Sequence, residues 1–122
     1  MPNVADYVVL KDGATSLQIG GDIDETFNFS IPSTASLASS CILSFQLDTG
    51  TGGQPSALKW RFDINGTNVG GWTHNARDFC AVQEVFGGSV LQTGTNSATV
   101  KVESGQGKLL VSDIIVWFQN AT

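Results

Sequence analysis

This sequence has little charge. Asp, Glu, Lys and Arg make up 14% of its 122 residues, against about a quarter in an ordinary globular chain. Lys and Arg number 6 against 11 Asp and Glu, for a net charge of -5. No basic run exists to neutralise a phosphate backbone, so no nucleic-acid partner is expected. No run of about 18 apolar residues occurs, so no membrane-spanning helix is expected either. No apolar stripe at helical spacing is sustained anywhere, which argues against an α-helical core. Histidine occurs once, at His74.

Cysteine is also scarce. Cys41 and Cys80 stand 39 residues apart, with no Cys-x-x-Cys between or around them. One histidine and two separated cysteines make a poor zinc set. A disulfide between them would add about 3 to 4 kcal/mol on the loop-entropy estimate. Two free thiols are the alternative, and the reading preferred here, because the N-terminus MPNVADYVVLKDG shows no signal peptide. The chain is therefore expected to be cytoplasmic, or a module of a longer secreted protein.

What fills the chain is Gly, Ser, Thr, Asn and short apolar runs of period two. Phe27, Phe29 and Ile31 share one strand face, as do Cys41, Leu43, Phe45 and Leu47. Leu58, Trp60, Phe62 and Ile64 alternate with Lys59, Arg61 and Asp63. Ala98, Val100 and Val102 alternate with Thr99, Lys101 and Glu103. Such alternation marks half-buried strands. Residues 79–86 read as another strand, and Val4–Leu10 and Ser16–Ile19 as two short ones around an Asp12-Gly13 turn. LLVSDIIVWF, residues 109–118, is apolar on both faces. It suits a central strand covered on both sides, or one bent by a bulge near Ser112-Asp113. Single helical turns are expected near Ser36–Ser39 and Val90–Gln92. Turn signals at Gly20-Gly21, Asn65-Gly66, Gly87-Gly88 and Ser104-Gly105 separate the strands, which recur about every ten residues, the spacing of a sandwich or barrel. The expected fold is all-β: one antiparallel β-sandwich of jelly-roll type, of about eight strands, spanning residues 1–122 as a single domain.

The second half carries a more particular order. A strand runs into Ile64-Asn65-Gly66-Thr67-Asn68-Val69, then comes a loop with an aromatic residue and a further strand. Val90-Leu91-Gln92-Thr93-Gly94-Thr95-Asn96 precedes the strand Ala98–Val102, and Gly107-Lys108-Leu109 leads into a last strand that carries Asp113. Over about residues 57–118 this order resembles the galactose-binding-like jelly rolls, the sandwich of many carbohydrate-binding modules. Asn-Gly supplies the positive φ of a tight hairpin, and Gly94 with Asn96 permits a sharp corner. The resemblance implies a β-sandwich that binds glycans through loops at one end, without catalysis. It implies no particular sugar.

The candidate binding stretch is GGWTHNARDF, residues 70–79, expected to join two strands at one end of the sandwich. Trp72 would stack on a sugar face, and His74, Asn75, Arg77 and Asp78 would bond its hydroxyls. The competing reading is that Trp72 plugs the sandwich end. GGDIDE, residues 20–25, gathers Asp22, Asp24 and Glu25, candidate ligands of a structural Ca²⁺, although EF-hand spacing is absent and a solvated acidic turn serves as well. Trp60 is expected in the core, while the face of Trp117 is ambiguous. Lys59, Arg61, Asp63, Lys101 and Glu103 would form cross-strand ion pairs if their strands are neighbours. No Gly-x-Ser-x-Gly is present and nothing orients a nucleophile on His74, so no enzyme is expected. The alternative to a glycan-binding module is a structural or self-assembling sandwich, with a homo-oligomer as partner.

Overall fold

The computed structural model describes residues 3–121. Eight strands follow one another: β1 (Asn3–Leu17), β2 (Asp24–Ile31), β3 (Ser40–Asp48), β4 (Ser56–Ile64), β5 (Thr67–His74), β6 (Phe79–Gly87), β7 (Gly94–Gln106) and β8 (Leu109–Ala121). The first sheet has the order β1-β8-β3-β6 and the second β2-β7-β4-β5. All their pairings are antiparallel. This order of two four-stranded sheets is that of a jelly roll.

The alternation seen in the sequence decides which sides face inward. Cys41, Leu43, Phe45, Leu47, Val111, Ile114 and Val116 point inward from the first sheet, and Phe27, Phe29, Trp60, Phe62, Val100 and Val102 from the second. Burying a side chain of this size contributes about 1.5 to 3 kcal/mol. Trp60 is fully buried, as its strand pattern implied.

Three local expectations are corrected. Val4–Leu10 and Ser16–Ile19 do not flank a turn, because β1 runs unbroken to Leu17. Its register against β8 slips between Val9 and Lys11 and again between Lys11 and Ala14, so Asp12-Gly13 is absorbed as an irregularity in the ladder. Asp113, at φ 52°, is the matching bulge in β8. The one 3₁₀ turn among the described residues is Gly88–Val90, two residues earlier than expected. Nor is residues 70–79 one loop: β5 extends through His74 and β6 begins at Phe79.

The two motifs that carried the resemblance meet in space. Asn96 is buried and closes its corner with both ends of its amide. Its Oδ1 accepts from the Gln92 backbone N–H at 2.9 Å and from Asn65 Nδ2 at 2.8 Å. Its Nδ2 donates to the carbonyls of Gln92 and Gly94 at 2.7 and 3.0 Å. The β4–β5 hairpin is thereby tied to the entry of β7.

Cys41 and Cys80 are free thiols, one buried and one exposed. Cys41 stands opposite Phe86, and Cys80 opposite Leu47. Six residues of strand separate those positions, roughly 20 Å, far beyond the ~7 Å between Cα atoms that a disulfide spans. At the far edge of the first sheet Asn3 pairs with Ala121, which sets the two ends of the described chain side by side.

Candidate functional site

The 70–79 stretch is split between core and rim. Gly70, Trp72 and His74 lie on the inner face of β5, opposite Phe62, Trp60 and Leu58 of β4. The Trp72 ring lies back along its own strand. A Cβ on Gly70 would come within 2.5 Å of it, so the glycine supplies the space the indole needs. Trp72 stacks on Trp60 with ring centroids 4.4 Å apart, and meets Phe45 edge-on at 5.4 Å. Pairs of this kind add about 0.5 to 1.5 kcal/mol beyond area burial. Trp72 is thus half-buried at the end of the aromatic core.

His74 is 8% exposed, and both of its ring nitrogens are engaged. Trp60 Nε1–H donates to its Nε2 at 2.9 Å. Its Nδ1 lies 3.0 Å from Asp78 Oδ2. Since Nε2 accepts, the neutral ring carries its proton on Nδ1 and donates it to the carboxylate. A chain of donors therefore runs from the core indole to the rim.

The rim is built from residues 48–57 and 75–78. Thr49 is fully buried and joins the two segments. Its Oγ1 donates to the Ala76 carbonyl at 3.0 Å and accepts from the Asp78 N–H at 2.9 Å. Its own N–H donates to the Asp78 carbonyl at 2.9 Å. Asn75 Oδ1 accepts from the Ala57 N–H at 2.8 Å, and the Asn75 carbonyl accepts from Gln54 Nε2 at 3.2 Å. DTGTGGQPS, flexible by composition, is fastened at several points along its length. Arg77 is exposed, with its stem over Gly50, where a Cβ would sit 3.1 Å from its own Cβ.

Of the five residues singled out in the sequence, the structure leaves polar groups facing outward on three. These are the Arg77 guanidinium, the Asn75 amide nitrogen and the exposed part of the Asp78 carboxylate. Trp72 and His74 are placed behind them. Thr49 and Gln54 had no signal in the sequence, because their partners lie more than twenty positions away.

The acidic stretch is arranged differently. Glu25 accepts from the Thr15 hydroxyl and stands 3.9 Å from Lys11 Nζ. Asp24 opens β2 opposite Lys101, and Asp22 is exposed in the preceding turn. Among the described residues no three His, Cys, Asp or Glu side chains gather closely enough to hold a metal ion. On the outer face of the second sheet Glu103 of β7 makes the expected cross-strand pairs with β4, while the shortest ion pair lies within β4 itself. Arg61 Nη2 meets Asp63 at 2.9 Å, and Glu103 lies 3.9 Å from both Lys59 and Arg61. The Arg61 pKa is raised, first by the hydrogen bond to Asp63 and then by its charge. Arg61, Asp63, Lys101 and Glu103 line an open depression of about 450 Å³ there.

No protein-family model matches the chain, and no curated protein matches it. Solved structures do. Part of dimeric latent PorU from Porphyromonas gingivalis matches with a TM-score of 0.73 at 7% identity, over 98% of this chain and 13% of that one. A β-porphyranase of glycoside hydrolase family 86 from Bacteroides plebeius matches at 0.64 and 17% identity, over 98% and 21%. The chain therefore spans only a small part of these two larger proteins. A family 35 carbohydrate-binding module from an environmental isolate matches nearly end to end, at 0.53 and 12% identity, over 94% and 90%. The fold is a jelly-roll β-sandwich, and it is shared with this carbohydrate-binding module. Identities this low establish the sandwich and its strand order, and they leave the ligand to be argued from the chain's own residues.

Proposed function

We propose that this jelly roll is a non-catalytic glycan-binding domain. Its ligand meets the rim formed by residues 48–57 and 75–78, where Asn75, Arg77 and Asp78 bond sugar hydroxyls and Trp72 and His74 hold the rim from behind. One observation carries the reading: the rim is locked to itself and to the core before any ligand arrives. Thr49 clamps Asp78 and Ala76, Asn75 clamps Ala57, and His74 links Asp78 to Trp60. A rim already ordered loses little conformational freedom on binding, so a few polar contacts suffice. Loops at the end of a rigid sandwich are where such folds place binding groups. The end-to-end match to a carbohydrate-binding module supports the same ligand class.

The non-catalytic part of the proposal rests on His74. With one nitrogen accepting from Trp60 and the other bonded to Asp78, it has no nitrogen left to activate a nucleophile.

A glycan array followed by calorimetry on the best binder tests the proposal. Arg77→Ala should abolish binding while leaving the fold intact. Binding that survives Arg77→Ala but is lost in Arg61→Ala would move the site to the depression on the second sheet. No binding to any glycan, with or without calcium, would overturn the reading.

A further inference from the structure

The two outer faces of the sandwich differ in kind. On the second sheet Lys59, Arg61, Asp63, Lys101 and Glu103 share the outer face with hydroxyl and amide side chains such as Thr26, Asn28, Ser97 and Thr99. On the first sheet Tyr7, Trp117, Ile42 and Val85 stand opposite one another in register, one from each strand. They form a continuous apolar row across all four strands. Val9, Ile115, Ser44 and Gln83 make the next row. Neither row contains a charge. Tyr7 is 55% exposed and Val85 65%. An antiparallel sheet with one face in water is normally polar on that face. An exposed apolar patch of this extent marks an interaction surface.

We propose that this face is where a second copy of the chain docks, sheet against sheet. Three features favour a copy of the same chain. First, the two apolar rows hold no charge, so a second copy, which carries the same net charge of -5, can meet them without setting like charges in contact. Second, the row has an aromatic half, Tyr7 and Trp117, and an aliphatic half, Ile42 and Val85. A two-fold axis along the strands, between β8 and β3, sets Tyr7 of one copy against Val85 of the other and Trp117 against Ile42. The patch is thereby self-complementary, as a two-fold interface must be. Third, the two apolar rows are the centre of a larger face, whose polar rim is the flanking rows that hold Ala5 and Gln119 on one side and Gln46, Ala81 and Asp113 on the other. Four strands about 4.8 Å apart by about four rows give roughly 500 Å² of face per copy, or about 1,000 Å² in all. That lies at the lower edge of specific interfaces and corresponds to a reversible dimer.

The same rows suit a glycan poorly. The Tyr7 and Trp117 rings are tilted 44° to one another and make no common plane. Trp117 Nε1–H is already committed to Ser44 Oγ at 3.0 Å. Val9, Ile115 and Val85 offer nothing to sugar hydroxyls. The dimer is independent of glycan binding at the rim, so either proposal can fail without the other.

Sedimentation equilibrium from micromolar to near-millimolar protein tests it. The wild-type chain should show a concentration-dependent dimer. Val85→Lys, at an exposed position with no core contact to lose, should weaken the dimer at least about tenfold. Tyr7→Ser should do the same, and Thr99→Lys, on the opposite face, should leave it unchanged. A wild-type chain that stays monomeric throughout overturns the proposal. So does a dimer that Val85→Lys and Tyr7→Ser leave intact, or a monomer whose glycan binding is lost in Val85→Lys.

Discussion

The indole N–H of Trp60 points at Nε2 of His74 across 2.9 Å, inside a core where the Trp72 ring stacks 4.4 Å from that of Trp60. The only histidine of the chain thus satisfies the only polar atom of its most buried tryptophan side chain.

Replacing His74 with Ala leaves that N–H without a partner in a dry site. The expected loss is about 2 to 3 kcal/mol of unfolding free energy, from the unmet donor and the vacated volume. Urea denaturation reads it. In a Trp60→Phe background, where no N–H remains, His74→Ala should cost distinctly less. Equal costs in the two backgrounds would show that the bond contributes nothing.

Thr49→Val keeps the shape of the side chain and removes its hydroxyl. The Asp78 N–H and the Ala76 carbonyl both lose their partner. A loss of about 1 to 2 kcal/mol is expected. The sharper readout is amide exchange: the Asp78 N–H should exchange much faster in the variant while β3 and β8 stay protected. Unchanged exchange at Asp78 would remove Thr49 as the clamp of the rim.

Asn96→Asp replaces a two-hydrogen donor with a carboxylate facing the Gln92 and Gly94 carbonyls in a buried corner. The variant should lose about 3 kcal/mol or more, with the thermal midpoint falling accordingly. Asn65→Ala should also destabilise, since Asn65 Nδ2 donates to Asn96 Oδ1 and the Val90 carbonyl, its Oδ1 accepts from the Ser97 N–H, and its φ of 50° disfavours alanine. A fully stable Asn96→Asp protein contradicts the corner described above.

The two thiols should differ in reactivity. Burial raises the pKa of Cys41, and the thiolate is the reactive form. A thiol reagent near neutral pH should label Cys80 promptly and Cys41 only after denaturation. Mass spectrometry of the labelled protein distinguishes one modification from two.

Much of the sandwich was legible in the sequence, because inward residues recur at every second position in β2, β3, β4 and β7. Strand β5 was not, and the reason is physical. It is an edge strand that buries one face with Gly70, Trp72 and His74, and two of these do not read as core residues. Their spacing of two was the available signal. The rim was legible only as a place. Which side chains reach outward depends on Thr49 and Gln54, whose partners lie more than twenty positions away. The apolar outer face was foreshadowed by residues 109–118, apolar on both sides. Of the two readings of that strand, the bulge at Asp113 is found and β8 lies between β1 and β3, while cover on both faces is not: the outer face of its sheet leaves Tyr7, Val9 and Val85 exposed.

The pairing of Asn3 with Ala121 has a consequence for how such a sandwich can be used. A unit whose entry and exit share one edge of one sheet can be spliced into a surface loop of a host, parting the host chain by no more than the width of a strand pair. The same adjacency allows the ends to be joined by a short linker and the ring reopened at an exposed turn, such as Asn65-Gly66, as a circular permutant.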